Sequence, residues 1–499
     1  MFNNMKIQSL LSCICSLLMS TTCAATCAAL WPFSSPEDAY RHLMPMGENF
    51  PGFPSTDAER VSRTIHVCQH PRDFSSLRLR IPPRHWQSTG LYRVPGEPVT
   101  VTMHSASGNL SFRERPFLRI GAHVQSLSKG WPATRVSCAS YRFRLQEGTQ
   151  QQDHDVTSGL IYIQFVATGA EEVDISISGA VKAPWFKLGR DSLKQWQNDI
   201  RYYPGPWAEL EGKHAILTLP SVMIRDLDDP AAVIGFYDKI VEDVNALVGL
   251  YENADDQCDR APDLPFRFVL DSAFPHINML ATSNFPINLN WIGHGDPFVW
   301  LTPGDPQVRA VLLHELGHNY EPDDRIAEPP GAQEAFANLI EYGYQSREGY
   351  WFLAQRHCKN LFYKYDDALY SYFPILMHPL FVASAYFTPA RYDRRIWVDG
   401  GYVSWMPKNA FMIHLTLHLS YDFIADFYRE FRHTPSNELP DVQDPQAKTD
   451  YFFETLCKST QQDLTRFFES WSVPVSKEAY QRVSEKSYPI PAWLLHDEL

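Results

Sequence analysis

Basic clusters are missing from this 499-residue sequence. Its formal net charge is −14 at pH 7, and no run of lysine or arginine interrupts the acidity. That excludes the basic stripe a protein needs to track a nucleic-acid backbone. Long apolar runs are missing too. The one near the N-terminus is short and broken by polar residues, and no later segment is apolar enough to span a bilayer. There is no internal repeat and no low-complexity tract. Cysteine is sparse, with nine in the chain. Cys13, Cys15, Cys23 and Cys27 fall in a segment expected to be removed, which leaves Cys68, Cys138, Cys258, Cys358 and Cys457. Five scattered thiols are neither a disulfide scaffold nor a cysteine-rich zinc cluster. In an oxidising compartment they allow one or two bridges, with one thiol left over.

What is present describes a globular chain. Apolar residues make up 44 % and charged residues 20 %, which excludes general disorder. Aromatic residues reach 13 %. They can fill cores, or line a carbohydrate cleft, because sugar rings present apolar C–H faces. The N-terminus reads as a secretory signal peptide: Lys6, an apolar stretch from Ile7 to Met19, then small residues through Ala29. Cleavage is expected after Ala25 or Ala29. The chain closes on His496-Asp497-Glu498-Leu499. In a eukaryotic host that is a retention address for the endoplasmic reticulum lumen. In any other host the leader implies a secreted, cell-surface or periplasmic protein.

Patterning divides the remainder. Residues 30–61 are Pro- and Ser-rich and read as a tether. From 62 to 204 short strands alternate with Gly/Pro turns, among them Leu91-Tyr92-Arg93-Val94, Val99-Thr100-Val101-Thr102 and Val173-Asp174-Ile175-Ser176-Ile177. This pattern predicts a β-sandwich. Residues 205–400 mix helices and short strands. Ile234, Tyr237, Ile240, Val241, Val244 and Val248 have helical apolar spacing, and residues 306–320 and 332–346 read as two further helices. A helical region at 401–499, with segments near 406–432 and 449–472 around a polar loop, is expected to pack on that domain. The overall class is α+β.

Chemistry concentrates in His314-Glu315-Leu316-Gly317-His318-Asn319. Asp305-Pro306 opens this helix with a capping carboxylate and a proline at its first position, and Pro322 stops it. His314 and His318, four apart, share one helical face, which suits two ligands of one tetrahedral zinc ion. Glu315 is poised to take a proton from water beside that ion. The third ligand must come from downstream. Asp324 lacks the preceding glycine that would turn the chain sharply back. Glu328, Glu334 and Glu341 are the glutamate candidates. Glu334 is favoured because it stands in the first turn of the next helix, directly after a rigid Pro-rich loop. Asn338 lies one turn below it as an outer partner. Trp291, Trp300 and Phe285 are candidates to stack on sugar or peptide. Tyr342, Tyr344 and His294 are candidates to stabilise an oxyanion.

The zinc motif followed by Gly331-Ala332-Gln333-Glu334-Ala335-Phe336-Ala337-Asn338 resembles the enhancin-like, mucinase-type zinc metallopeptidases, peptidase family sixty. The likeness runs over about residues 80–430. It takes in Thr89-Gly90-Leu91-Tyr92 with Pro95-Gly96-Glu97, Arg119-Ile120-Gly121-Ala122-His123, Gly159-Leu160-Ile161-Tyr162-Ile163, and Gly205-Pro206-Trp207-Ala208-Glu209-Leu210 with Leu217-Thr218-Leu219-Pro220-Ser221. The resemblance implies a β-sandwich leading into a gluzincin-like catalytic domain. It implies one zinc ion on His314, His318 and Glu334, with Glu315 as general base. It also implies O-glycosylated, mucin-like protein substrates. The sequence departs from the family pattern at Glu321, where the family often has glutamine, at Asn284-Phe285-Pro286, and in having no tryptophan between 318 and 334. A non-catalytic glycoprotein- or glycan-binding protein on the same scaffold is the competing expectation.

Overall fold

A computed structural model describes residues 52–495, apart from 70–71, 109, 112–113, 125–138, 153–157, 166–170, 272–278, 281–284, 291–296, 323–332, 348–404, 420 and 442. The expected signal peptide and most of the tether lie outside the described residues, as do Cys138, Cys358 and the terminal His496-Asp497-Glu498-Leu499.

The N-terminal half is built from β1 (Val61–Gln69), β2 (Trp86–Arg93), β3 (Val99–Ser105), β4 (Phe117–His123), β5 (Ala139–Arg144), β6 (Gly148–Gln152), β7 (Gly159–Gln164) and β8 (Glu171–Lys182). All pair antiparallel, in the order β5-β4-β7-β2-β8-β3-β6, with β1 also on β8. The long β8 organises this sheet. Val173, Ile175 and Ile177 point inward and alternate with polar residues, the period-two pattern of a strand with one buried face. β1 and β3 flank it, with Thr64 opposite Ser176 on one side and Val101 opposite Ile177 on the other. At its far end Val181 and Lys182 pair with Tyr92 and Leu91, handing the sheet on to β2. Side chains of both halves, including Ile65, Val101, Leu118, Ile161 and Ile175, share one core.

A second, mixed sheet runs in the order β13-β14-β12-β11-β10-β9. Its strands are β9 (Trp185–Lys187), β10 (Trp207–Glu211), β11 (Ala215–Pro220), β12 (Phe266–Asp271), β13 (Met279–Leu280) and β14 (Ile287–Asn290). Because β9 belongs to it, this sheet begins before the expected boundary at 204/205. The short α1 (Leu193–Asn198) lies between β9 and β10. α2 (Pro230–Leu247) connects the parallel strands β11 and β12, capped by Asp229 and burying Ile234, Tyr237, Ile240, Val241 and Val244 as the spacing predicts. Every residue of β11 and β12 is buried, as parallel strands covered on both faces must be.

A buried ion pair joins the sheets. Arg267 of β12 binds Glu209 of β10, and its other nitrogen donates to Trp86 O (3.1 Å) and Ser88 Oγ (3.2 Å) of β2. Tyr162 Oη of β7 donates to the same Glu209 carboxylate at 3.1 Å. A charge pair taken out of water needs partners for its remaining hydrogen-bonding groups, and here both sheets supply them to the two Nη atoms and the carboxylate, with Arg267 Nε left unpaired.

Helices complete the mixed α/β architecture: α3 (Pro306–Tyr320), α4 (Gln333–Arg347), α5 (Trp405–Leu419), α6 (Asp422–His433), α7 (Pro445–Thr460), α8 (Thr465–Ser470) and α9 (Lys477–Glu485). Phe336 of α4 packs tilted against Phe427 of α6 and edge-on against Phe452 of α7, with ring centroids 6.2 and 5.9 Å away. α7 starts four residues before the expected 449. Asp444-Pro445 is the same start signal as Asp305-Pro306, and the Asp444 carboxylate accepts from Gln446 N and Ala447 N. Cys258 and Cys457 are free thiols; burial pushes the Cys457 thiol up to about 12. Among the described residues no helix is long and apolar enough to cross a membrane.

Candidate metal centre

α3 begins as its sequence dictates: Asp305 Oδ1 accepts from Val308 N at 3.0 Å, and Val308, Leu312 and Leu316 are buried along one face. The neighbouring face carries His314 and His318, whose rings stand edge to face with centroids 4.9 Å apart. α4 packs against α3 at one point of very close approach. A Cβ on Gly317 would lie 2.7 Å from Ala337 O and 2.9 Å from Ala337 Cα, so only glycine admits this spacing. Gly317→Val is therefore expected to push the helices apart, to cost about 1–3 kcal/mol of stability and to weaken metal uptake. Thermal melting and zinc titration measure both effects.

That contact brings Glu334 over the histidine pair. Its carboxylate oxygens lie 3.5 Å from His314 Nε2 and 3.8 Å from His318 Nε2. One ligand atom from each of the three residues falls within 4.8 Å of the others, a grouping able to hold a metal ion. Glu334 is half exposed, so the face opens to solvent. Glu315 is buried beside the pair, 7 % exposed. Glu341, also buried, is not part of the grouping, and Asp324 and Glu328 lie outside the described residues.

The far nitrogens of both rings are held from behind. His314 Nδ1 lies 2.8 Å from Asn338 Oδ1, and His318 Nδ1 lies 2.5 Å from Glu321 Oε1. With the Nδ1 protons donated to those acceptors, both Nε2 lone pairs face Glu334, as metal ligation requires. Asn338 thus supports a histidine, where the sequence reading paired it with Glu334. Burial pulls the His318 pKa down. The Glu321 bond and the charges of Glu321, Glu315 and Glu334 outweigh it and raise the value to about 9. The carboxylates of Glu334, Glu315 and Glu321 gathered about the two rings favour a cation there, and the mixture of nitrogen and carboxylate donors suits zinc.

Sequence reasoning missed two members of this arrangement. Glu321 is fully buried and binds Arg80 as well as His318. Arg80 comes from the N-terminal half, where residues 79–81 dock onto the end of α3. Arg80 N donates to Glu321 O at 3.0 Å, Ile81 N donates to Asn319 O at 3.2 Å, and Leu79 bridges Pro322. Glu321 had a local signal, since it stands three residues after His318 and can reach back over one turn. Arg80 had none.

The aromatic candidates need correction. Trp300 is 1 % exposed and joins the central core; Phe285 is 2 % exposed and packs edge-on against Trp86. Neither offers a ring face to a ligand, because both are consumed by core packing. Tyr344, a candidate oxyanion donor, is likewise a core residue. Trp291, His294 and the side chain of Tyr342 lie outside the described residues.

A pair of packed helices presenting two imidazoles and a carboxylate in front of a mixed sheet defines the class: a metallopeptidase-type fold. The comparisons give the particular family. Residues 71–178 match the N-terminal domain of M60-like peptidases, and residues 179–348 match peptidase M60, enhancin and enhancin-like. The chain belongs to this peptidase M60, enhancin and enhancin-like family. Among solved structures it is similar to a mutant of a functionally unknown conserved protein from Bacillus anthracis (TM-score 0.65, 17 % identity, 88 % of this chain and 82 % of that one). It is also similar to the catalytic module of the metalloprotease ZmpA from Clostridium perfringens (0.62, 15 %, 86 % and 79 %). A third is IMPa from Pseudomonas aeruginosa in complex with an O-glycopeptide (0.59, 14 %, 88 % and 52 %). Human TRPM8 channel-associated factor 2 is 24 % identical over 426 residues, covering 82 % of this chain and 40 % of the relative. The chain thus spans about two fifths of that relative's length.

Proposed function

We propose that the chain is an exported zinc-dependent endopeptidase that cuts glycoproteins of the O-glycosylated, mucin-like kind. The observation that carries this reading is the meeting of His314 Nε2, His318 Nε2 and the Glu334 carboxylate, with each Nδ1 anchored from behind. His314, His318 and Glu334 would hold the zinc ion, which when bound supplies a polarising charge for a peptide carbonyl and acidifies nearby water. Glu315 takes the proton of the attacking water and passes it to the departing amine. Asn338 and Glu321 keep the imidazoles aimed, so little reorganisation is needed during reaction. The O-glycopeptide bound to the structurally similar IMPa supports the substrate class, and the signal peptide expected from the sequence supports export.

The relatives named as channel-associated factors favour a second reading, a binding protein on the same scaffold. One experiment separates the two. Zinc-loaded and chelated protein are incubated with glycosylated and deglycosylated mucin, and fragments are read by mass spectrometry. The peptidase reading expects fragments from glycosylated mucin only with zinc present. Retention of intact mucin by the zinc-loaded protein, without fragments, would establish the binding reading instead.

A further inference from the structure

We propose that the chain carries a second ligand site, remote from the metal centre, for a compact oxyanion (sulfate, phosphate or carboxylate) borne on a sugar-sized body. The site is a pocket of about 300 Å³ where the N-terminal sheet meets the second one, lined by Arg63, Lys182, Arg190, Trp185, Tyr203 and Asp191 among others. None of its lining residues belongs to α3 or α4.

Three cations line this pocket, and the charge of two of them is poorly answered. Arg190 pairs with Asp191 at 2.6 Å. Among the described residues neither Arg63 nor Lys182 has a carboxylate within ion-pair distance. Burial and the charge of Arg190 both hold the Arg63 guanidinium below its ordinary pKa, and Asp191 offsets this only in part. Aromatic rings keep the cations in place. Arg190 lies 4.0 Å and Arg63 5.3 Å from the Trp185 ring centroid, and Lys182 lies 5.2 Å from that of Tyr203. Trp185 is itself fixed, its Nε1 donating to Glu211 Oε2 at 2.8 Å.

The backbone makes room for the arrangement. Gly90 has φ +67°, and a Cβ there would stand 2.8 Å from Arg63 Nη1 and 2.7 Å from Trp185 Cε3. A side chain at this point would displace the guanidinium and the ring that supports it. Asp191 answers Arg190, whereas Arg63 and Lys182, held on fixed supports with no carboxylate in ion-pair distance among the described residues, are arranged for an anion from solution. The Arg190 fork is taken up by Asp191, and the Arg63 guanidinium and the Lys182 ammonium match the oxygens of a sulfate, phosphate or carboxylate group. The volume exceeds that of a bare ion and fits a small body attached to it.

The test uses the full chain and ligand-observed NMR with calorimetry. The probes are N-acetylglucosamine 6-sulfate, glucose 6-phosphate and N-acetylneuraminic acid, with neutral N-acetylglucosamine as the control. At least one charged probe is expected to bind saturably with Kd of about 1 mM or tighter, and the neutral sugar not to bind. Which probe binds most tightly identifies the anionic group. Arg63→Gln and Lys182→Gln are each expected to weaken binding at least about tenfold, while Glu315→Gln leaves it unchanged. Without ligand, both variants are expected to melt at or above the wild-type temperature, because each removes one of several like charges. Absence of saturable binding by all three charged probes would overturn the proposal, as would wild-type affinity in both variants. Should Arg63→Gln fail to fold, the Lys182→Gln arm decides alone.

Discussion

Replacing Glu315 by glutamine is expected to lower hydrolysis of an O-glycosylated peptide by about 10²–10⁴-fold, with zinc content unchanged. Glutamine keeps the size and hydrogen-bonding shape of the side chain but cannot accept the water's proton. The ligand atoms of His314, His318 and Glu334 are not altered by the change, so metal binding should persist. The measurement is kcat/KM on a defined glycopeptide, alongside zinc stoichiometry and a melting curve. A variant that keeps zinc and melts normally, yet cleaves at the wild-type rate, would remove Glu315 from the mechanism.

The second large effect is expected at Glu321. Its carboxylate has no exposed surface and is shared between His318 Nδ1 and Arg80. Glu321→Ala removes the acceptor that orients the His318 ring and takes away a buried negative charge that Arg80 binds a short distance from the candidate metal centre. Both changes oppose cation binding. Zinc affinity should fall about 10–100-fold, the range for losing an outer-shell partner, as read by competition with a chromophoric chelator. Arg80→Ala should act differently. It leaves a buried carboxylate short of one partner, so stability should drop by about 2–3 kcal/mol, somewhat less than for a wholly buried pair because Arg80 is partly solvated. Denaturant unfolding measures this loss. If the Glu321→Ala protein bound zinc as tightly as wild type, the support assigned to this carboxylate would be wrong.

These two residues mark where sequence reading stops. The Asp305-Pro306 helix start, the His314/His318 spacing and the choice of Glu334 were legible because they depend on short-range geometry: a cap, one helical turn, a rigid loop leading into a helix. The buried stripe of α2 was legible for the same reason. The roles of Trp300 and Phe285 were not. An aromatic side chain in a strand-and-turn region reads alike whether it faces solvent or a core, and packing decided for the core. Arg80 was beyond reach because it stands 241 residues from Glu321 and meets it only after residues 79–81 dock on α3. The pocket around Arg63 and Lys182 was hidden similarly, since β1 and β8 lie more than a hundred residues apart along the chain.

The sequence by itself therefore determined which residues are candidates for metal ligation and which helices carry them, because periodicity and capping act over a few residues. Only the tertiary structure decided how near Glu334 comes to the two imidazoles, which nitrogen of each ring is left free, and which distant arginine braces the arrangement. Those outcomes depend on helix-to-helix and sheet-to-sheet packing, in which a single close approach at Gly317 sets distances that no local pattern encodes.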